Sequence, residues 1–193
     1  MSTNEKFRIW GNAIWFNLLW FAAVIGADAA ILWPALACLL MLIAWATVYG
    51  RRLRTDMQMA VAGLLIAYTA EPIWLSAGTI VYAGQGDLGL PPAWITLLWV
   101  GFAISFNHCL EWLNKRFLLA TFLGLAGSMS SITAGARIGA LDMPQGWLDA
   151  VLLYSPAWAI ITPALVWLSA RFRTLASRNE PSATEARPTS CAD

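Results

Sequence analysis

Apolar residues in this chain come in long runs rather than in strict alternation or narrow helical stripes. The runs cover about residues 10–27, 31–49, 57–82, 93–113, 117–140 and 147–170. A helix needs roughly 20 predominantly apolar residues to cross a membrane, and each run is near that length. Short polar or glycine-containing breaks separate them, among them Gly50-Arg51-Arg52-Leu53-Arg54, Gly84-Gln85-Gly86-Asp87, Asn114-Lys115-Arg116 and Leu141 to Gly146. The pattern predicts an all-α polytopic membrane protein, a bundle of six transmembrane helices. Residues 1–9 then form a polar start, 10–173 the transmembrane domain, and 174–193, rich in Ser, Thr, Pro, Glu and Arg, a disordered tail. Ala27-Asp28-Ala29 loosely resembles a signal cleavage site. The stretch before it is long for a signal's apolar core and contains Asn17, so a first span is the favoured reading.

Composition agrees. Hydrophobic residues make up 59% of the 193 and charged residues 12%, against about 25% charged in a soluble domain. Threading six spans with the N-terminus inside places Lys6, Arg8, Arg51, Arg52, Arg54, Lys115, Arg116, Arg171, Arg173, Arg178 and Arg187 on one side. Of twelve basic residues only Arg137 falls opposite, with Asp28, Asp87 and Asp142. The positive-inside rule therefore puts both termini in the cytoplasm of a multi-pass inner-membrane protein. Tryptophans near span ends, such as Trp10, Trp33, Trp94, Trp112 and Trp147, suit interfacial belts. The net charge of +1 gives no reason to expect nucleic acid as a partner, and Cys38, Cys109 and Cys191 show no zinc spacing.

Candidate chemistry lies in the few polar groups inside the runs. Glu71 sits mid-span beside Pro72, which removes a helix hydrogen bond at the same depth. An intramembrane acid needs a partner or a wet cavity. Helical rise puts Glu71 about 20 Å from the cytoplasmic end, Arg137 about 30 Å, Asn17 about 10 Å and His108 about 6–8 Å. Two polar layers follow, Glu71 with Arg137, and Asn17 with Asn107 and His108, Glu111 lying one turn below His108. Glu71, Arg137, Asn107, His108 and Asn17 are the candidate binding residues; Glu71 is equally readable as a structural ion pair or a hydrogen-bonded acid, and Arg137 as a snorkelling side chain. Asp56 and Asp149 read as helix N-terminal charges. A single histidine rules out a histidine metal cage, and no GxSxG, HExxH, Walker loop or GxGxxG is present. No catalytic residue, metal or cofactor is therefore assigned, and an enzyme is the less favoured reading. Gly127, Ser131, Gly135 and Gly139 recur every four residues in the fifth span, with Gly124 and Ser128 alongside, and form a candidate packing seam or dimer face. Glu71-Pro72-Ile73-Trp74 and Ser155-Pro156-Ala157-Trp158 faintly echo each other, as in three-plus-three inverted repeats.

The stretch from Asn12 to Phe21, the block from Asn107 to Leu113, and Gly135-Ala136-Arg137-Ile138-Gly139-Ala140 resemble a family of small bacterial inner-membrane proteins, domain of unknown function 2878. The resemblance covers about residues 10–172 and implies a shared multi-span fold. That family more often has aspartate where Glu71 stands and a basic residue where Glu111 stands, so the resemblance implies no functional role for Glu111. It carries no activity to transfer. Its members are encoded near enzymes that modify membrane fatty acids, which implies a link to lipid metabolism or envelope stress. Three readings stand: a protein that binds or translocates a small or lipid-like molecule through a polar intramembrane cavity, an enzyme or enzyme accessory in membrane lipid modification, and a structural subunit of a membrane complex. The expected partners are accordingly membrane lipids, a lipid-modifying enzyme or another membrane protein.

Overall fold

A computed structural model of the chain describes residues 3–86 and 88–178. Asp87 and the tail from 179 onward, with Arg187 and Cys191, lie outside the described residues. Among the described residues six α-helices follow one another: α1 (Thr3–Asp28), α2 (Trp33–Trp45), α3 (Leu53–Ser76), α4 (Ala93–Ser105), α5 (Phe117–Ile138) and α6 (Trp147–Arg178). Among the described residues all but α4 are long and apolar enough to cross a membrane, α2 together with the π-helical turn Ala46–Gly50 that prolongs it. The chain is thus an all-α polytopic membrane protein. Two helix boundaries run past the expected domain limits: α1 starts at Thr3, and α6 continues through residues 174–178.

The fourth run departs from the sequence expectation. Helix α4 has 13 residues, about 19 Å. Residues 106–116 then fold as tight turns around a short 3-10 helix, Glu111–Leu113. Asn107, His108 and Cys109 are weak helix formers. The side chains of Asn107 and His108 find buried partners on other helices, so the helix ends about two turns before Leu113.

The third run also ends early. Helix α3 stops at Ser76, and the loop beyond it meets the loop after α5. Val81–Tyr82 (β1) pairs antiparallel with Leu141–Asp142 (β2), Val81 opposite Asp142 and Tyr82 opposite Leu141. The Ala83 N–H donates to the Ala140 carbonyl at 2.9 Å and extends the pairing. Two loops that read as separate breaks are therefore joined into one lid, and the lid delivers Tyr82 to the interior.

Helix pairs α5–α6, α1–α2 and α3–α4 pack along their lengths. On α5 the residues turned inward are Ala120, Gly124, Ser128, Ile132 and Gly135. A Cβ on Gly124 would collide with the Trp158 carbonyl oxygen of α6, so this is where the two backbones meet. The expected seam is only partly that surface. Gly135 does pack, against Leu141, but an added Cβ on Gly127 would meet nothing within 4 Å. Ser131 Oγ accepts the Trp20 Nε1–H at 3.1 Å, and Gly139 caps α5 in the left-handed region at φ +91°. Two rows of small residues lie side by side on α5, and spacing alone does not say which of them faces α6. Gly124→Leu is expected to force α5 and α6 apart at a cost of about 1–3 kcal/mol, read as a lower apparent Tm in mild detergent.

Candidate functional site

Glu71 is 1% exposed and is held by neutral donors from three elements. Trp74 Nε1, one turn along α3, donates to Oε2 at 2.6 Å. The lid's Tyr82 hydroxyl donates to the same oxygen at 2.9 Å, and Trp99 Nε1 of α4 donates to Oε1 at 2.7 Å. Aromatic packing fixes these donors: Trp99 stacks on Trp158 of α6 at 4.6 Å and 16°, and Trp74 meets Tyr154 edge-on at 4.8 Å. Among the described residues no cation lies within ion-pair distance of the carboxyl. Hydrogen bonding is what makes this acid tolerable at its depth.

Glu71 forms part of the wall of a cavity of about 590 Å³ bounded by α1, α4, α5, α6 and the lid. Aromatic rings dominate it: Trp20, Trp94, Trp99, Phe102, Tyr154 and Trp158. Asn17 and Phe21 of α1 and Leu123, Gly127 and Ser130 of α5 line it while exposed at the surface. The cavity therefore opens sideways between α1 and α5. Along α5 the lining runs from Leu123 to Gly135, about 18 Å of helix. The buried Trp158 Nε1 and Thr162 Oγ1 have no hydrogen-bond partner of good geometry.

A second polar centre lies at the end of the bundle where α1, α3, α6 and the turns after α4 meet. Asp56 lies in the first turn of α3, as expected of a helix N-terminal charge, and is buried there. His108 Nε2 lies 3.1 Å from each of its carboxylate oxygens, and Asn107 Nδ2 donates to Oδ1 at 2.7 Å. Arg8 Nη1 faces His108 Nδ1 at 3.4 Å. A carboxylate only accepts, so Nε2 is the donor toward Asp56. Asn107 Oδ1 accepts from Ser169 Oγ at 2.8 Å and from Arg173 Nη1 at 3.2 Å. Arg52 Nη1 donates to the Asn107 carbonyl and to Glu111 Oε2, each at 2.8 Å. Burial pushes the Glu111 carboxyl up, but the Arg52 hydrogen bond and the charges of Arg52, Arg173 and Arg8 outweigh it and hold the group below its ordinary range.

Of the two expected layers, Glu71 with Arg137 is not brought together, and of Asn17, Asn107 and His108 only the last two meet. Asn107 and His108 belong to the second polar centre, together with Asp56. Asn17 belongs to neither: it is exposed at the cavity mouth and donates to the Ala13 carbonyl of its own helix at 2.8 Å. Asn12 is the asparagine turned inward, 0% exposed, and accepts the Cys109 N–H at 3.3 Å. Five residues separate the two, about 140° around the helix. Arg137 is likewise not the counter-charge of Glu71. Two residues beyond the buried Gly135, about 200° around α5, it points outward and lines a shallow depression with Met129, Thr133 and Trp147.

A family model described as "Protein of unknown function (DUF2878)" matches residues 9–164. The chain belongs to the DUF2878 family. No match is found among curated proteins or among solved structures. The part of the chain shared with DUF2878 contains Glu71 and its three donors, the whole cavity lining, and Asp56, Asn107 and His108. Arg8, Ser169 and Arg173 lie outside it. For this DUF2878 member, Trp74 was within reach of sequence reasoning, because a residue three beyond Glu71 shares its helix face. Tyr82, Trp99 and Asp56 reach their partners only through the lid and through helix packing.

Proposed function

We propose that this protein binds a membrane-soluble, mostly apolar molecule carrying a hydrogen-bonding oxygen, which enters from the bilayer between α1 and α5. The observation that carries this reading is the aromatic cavity with the buried Glu71 in its wall. Its volume of about 590 Å³ falls within the roughly 300–1,000 Å³ of small-molecule sites, which pair apolar walls with a few placed polar groups. Asn17 at the mouth, whose amide keeps a second N–H beyond the one given to Ala13, suits an acceptor oxygen on the ligand, and the ring faces of Trp99 and Trp158 suit a flat or unsaturated portion. Passage of the molecule along the bundle axis belongs to the same reading, as does an inner-membrane setting with the arginine-rich end in the cytoplasm.

Gly127 supplies the test. A tryptophan there meets open space at its Cβ and fills the mouth, and leaving glycine in a helix interior favours the fold by up to about 1 kcal/mol. Lipid and metabolite mass spectrometry on gently purified protein is expected to find an apolar species in wild type that Gly127→Trp loses while keeping its Tm. Equal occupancy in the two proteins, or no bound species in wild type, would overturn the reading.

A further inference from the structure

We propose that the arginine-rich end of the bundle holds an oxyanion site that takes a phosphate group on Arg8, Arg52 and Arg173, with Glu111 occupying the phosphate's place in this conformation. The three guanidiniums come from the start of α1, the residue just before α3, and the end of α6, so three separate helices fix their positions. They share one carboxylate, and it does not satisfy them. Arg52 hydrogen-bonds Glu111 at 2.8 Å. Arg8 Nη2 stands 3.5 Å from Oε2 and Arg173 Nε 3.8 Å from Oε1, both longer than the usual 2.7–3.2 Å of an N–H···O bond. Their other contacts are to neutral acceptors, Arg173 with Asn107 Oδ1 and Ser169 Oγ, Arg52 with the Asn107 carbonyl and Arg8 with His108 Nδ1, and the Asp56 oxygens are engaged by His108 and Asn107.

Geometry selects the ligand. A carboxylate has two oxygens in one plane and reaches one of the three arginines at bonding distance. A phosphate monoester presents three oxygens around a tetrahedron and carries about −1.5 to −2 charge, so it can give each guanidinium its own charge-assisted bond. Access is available: the Glu111 side chain is 30% and the Arg52 side chain 32% exposed, while Arg8 and Arg173 are at 14% and 18%. Glu111 sits on a three-residue 3-10 turn rather than on a long helix, and Lys115 and Arg116 follow it exposed at the surface. The site is distinct from the cavity. Leu110 and Leu113, which flank Glu111, line the cavity, whereas Glu111 faces the arginines.

The phosphate has two possible sources, a lipid headgroup and a free phosphate compound, and one set of experiments separates them. Full-length protein in uncharged detergent is followed by apparent Tm with inorganic phosphate, with matched chloride, and in mixed micelles of phosphatidylcholine with or without phosphatidic acid. Glu111→Gln removes the internal anion and is expected to lower Tm. Recovery with inorganic phosphate assigns a free phosphate compound, and recovery with phosphatidic acid alone assigns a headgroup. Recovery with chloride to the same degree, or no recovery with either phosphate, overturns the proposal and leaves Glu111 as a structural tie. Equilibrium dialysis of wild type against radiolabelled phosphate and against short-chain phosphatidic acid covers the case in which Glu111→Gln does not fold. Saturable binding of one of them, lost in Arg173→Gln, upholds the site, and its absence for both rejects it.

Discussion

Replacing Glu71 with alanine is expected to produce the largest loss of stability of any single change in the span. Trp74 Nε1, Trp99 Nε1 and the Tyr82 hydroxyl all donate to this one carboxyl. Removing it orphans three buried donors at about 1–3 kcal/mol each. At about 2–4 °C per kcal/mol for a chain of this size, the apparent Tm in mild detergent falls by about 6 °C or more. Glu71→Gln is the informative partner. Its amide oxygen can still serve the Trp74 and Tyr82 pair, but its NH₂ then faces the Trp99 indole, donor against donor, so it should lose about one bond's worth. Tyr82→Phe removes a donor and leaves the acid two partners, so its effect should be smallest. The order Ala, Gln, Phe in decreasing damage reports a hydrogen-bonded acceptor. A Glu71→Ala protein as stable as wild type would show instead that the donors find other partners.

Asp56→Ala is expected to have the second largest effect, at the other centre. It strips the shared acceptor from His108 Nε2 and Asn107 Nδ2, two buried donors, for about 2 kcal/mol or more. The damage should also be local. Asn107 and His108 belong to the turns that replace the last part of the expected fourth helix, so amide exchange should accelerate over residues 106–114 while the Glu71 centre keeps its protection. Asp56→Asn, which retains one acceptor oxygen, should recover part of the loss. Uniform acceleration across both centres would mean that the bundle opens as one cooperative unit and that Asp56 has no local role.

The hypothesis of a ligand in the side-opening cavity and that of a phosphate at the arginine cluster rest on different residues. Gly127→Trp blocks the first and leaves the second untouched; Arg173→Gln does the reverse. A protein that fails one test and passes the other loses only the corresponding claim.

Much of this architecture was legible along the chain. Six apolar runs, a nearly one-sided distribution of Lys and Arg, and one acid in mid-span are enough to define a polytopic α-helical membrane protein and to single out Glu71. Each follows from a property that acts along the sequence: span length, charge near span ends, and the cost of a carboxyl far from water. Which way a side chain points was a different matter. A soluble helix declares its inward face by an apolar stripe, but these helices are apolar nearly all round, so the stripe is absent. Asn17 and Asn12, Gly127 and Gly124, and Arg137 and Gly135 differ by rotation about a helix axis, and packing alone chose between the members of each pair. Packing also ended α4 at Ser105, because Asp56 and Ser169 offered Asn107 and His108 better partners than the helix could. The lid brought Tyr82 to Glu71 by pairing loops about 60 residues apart in sequence. No local rule couples such distant segments; their contact exists only once the helices between them have assembled.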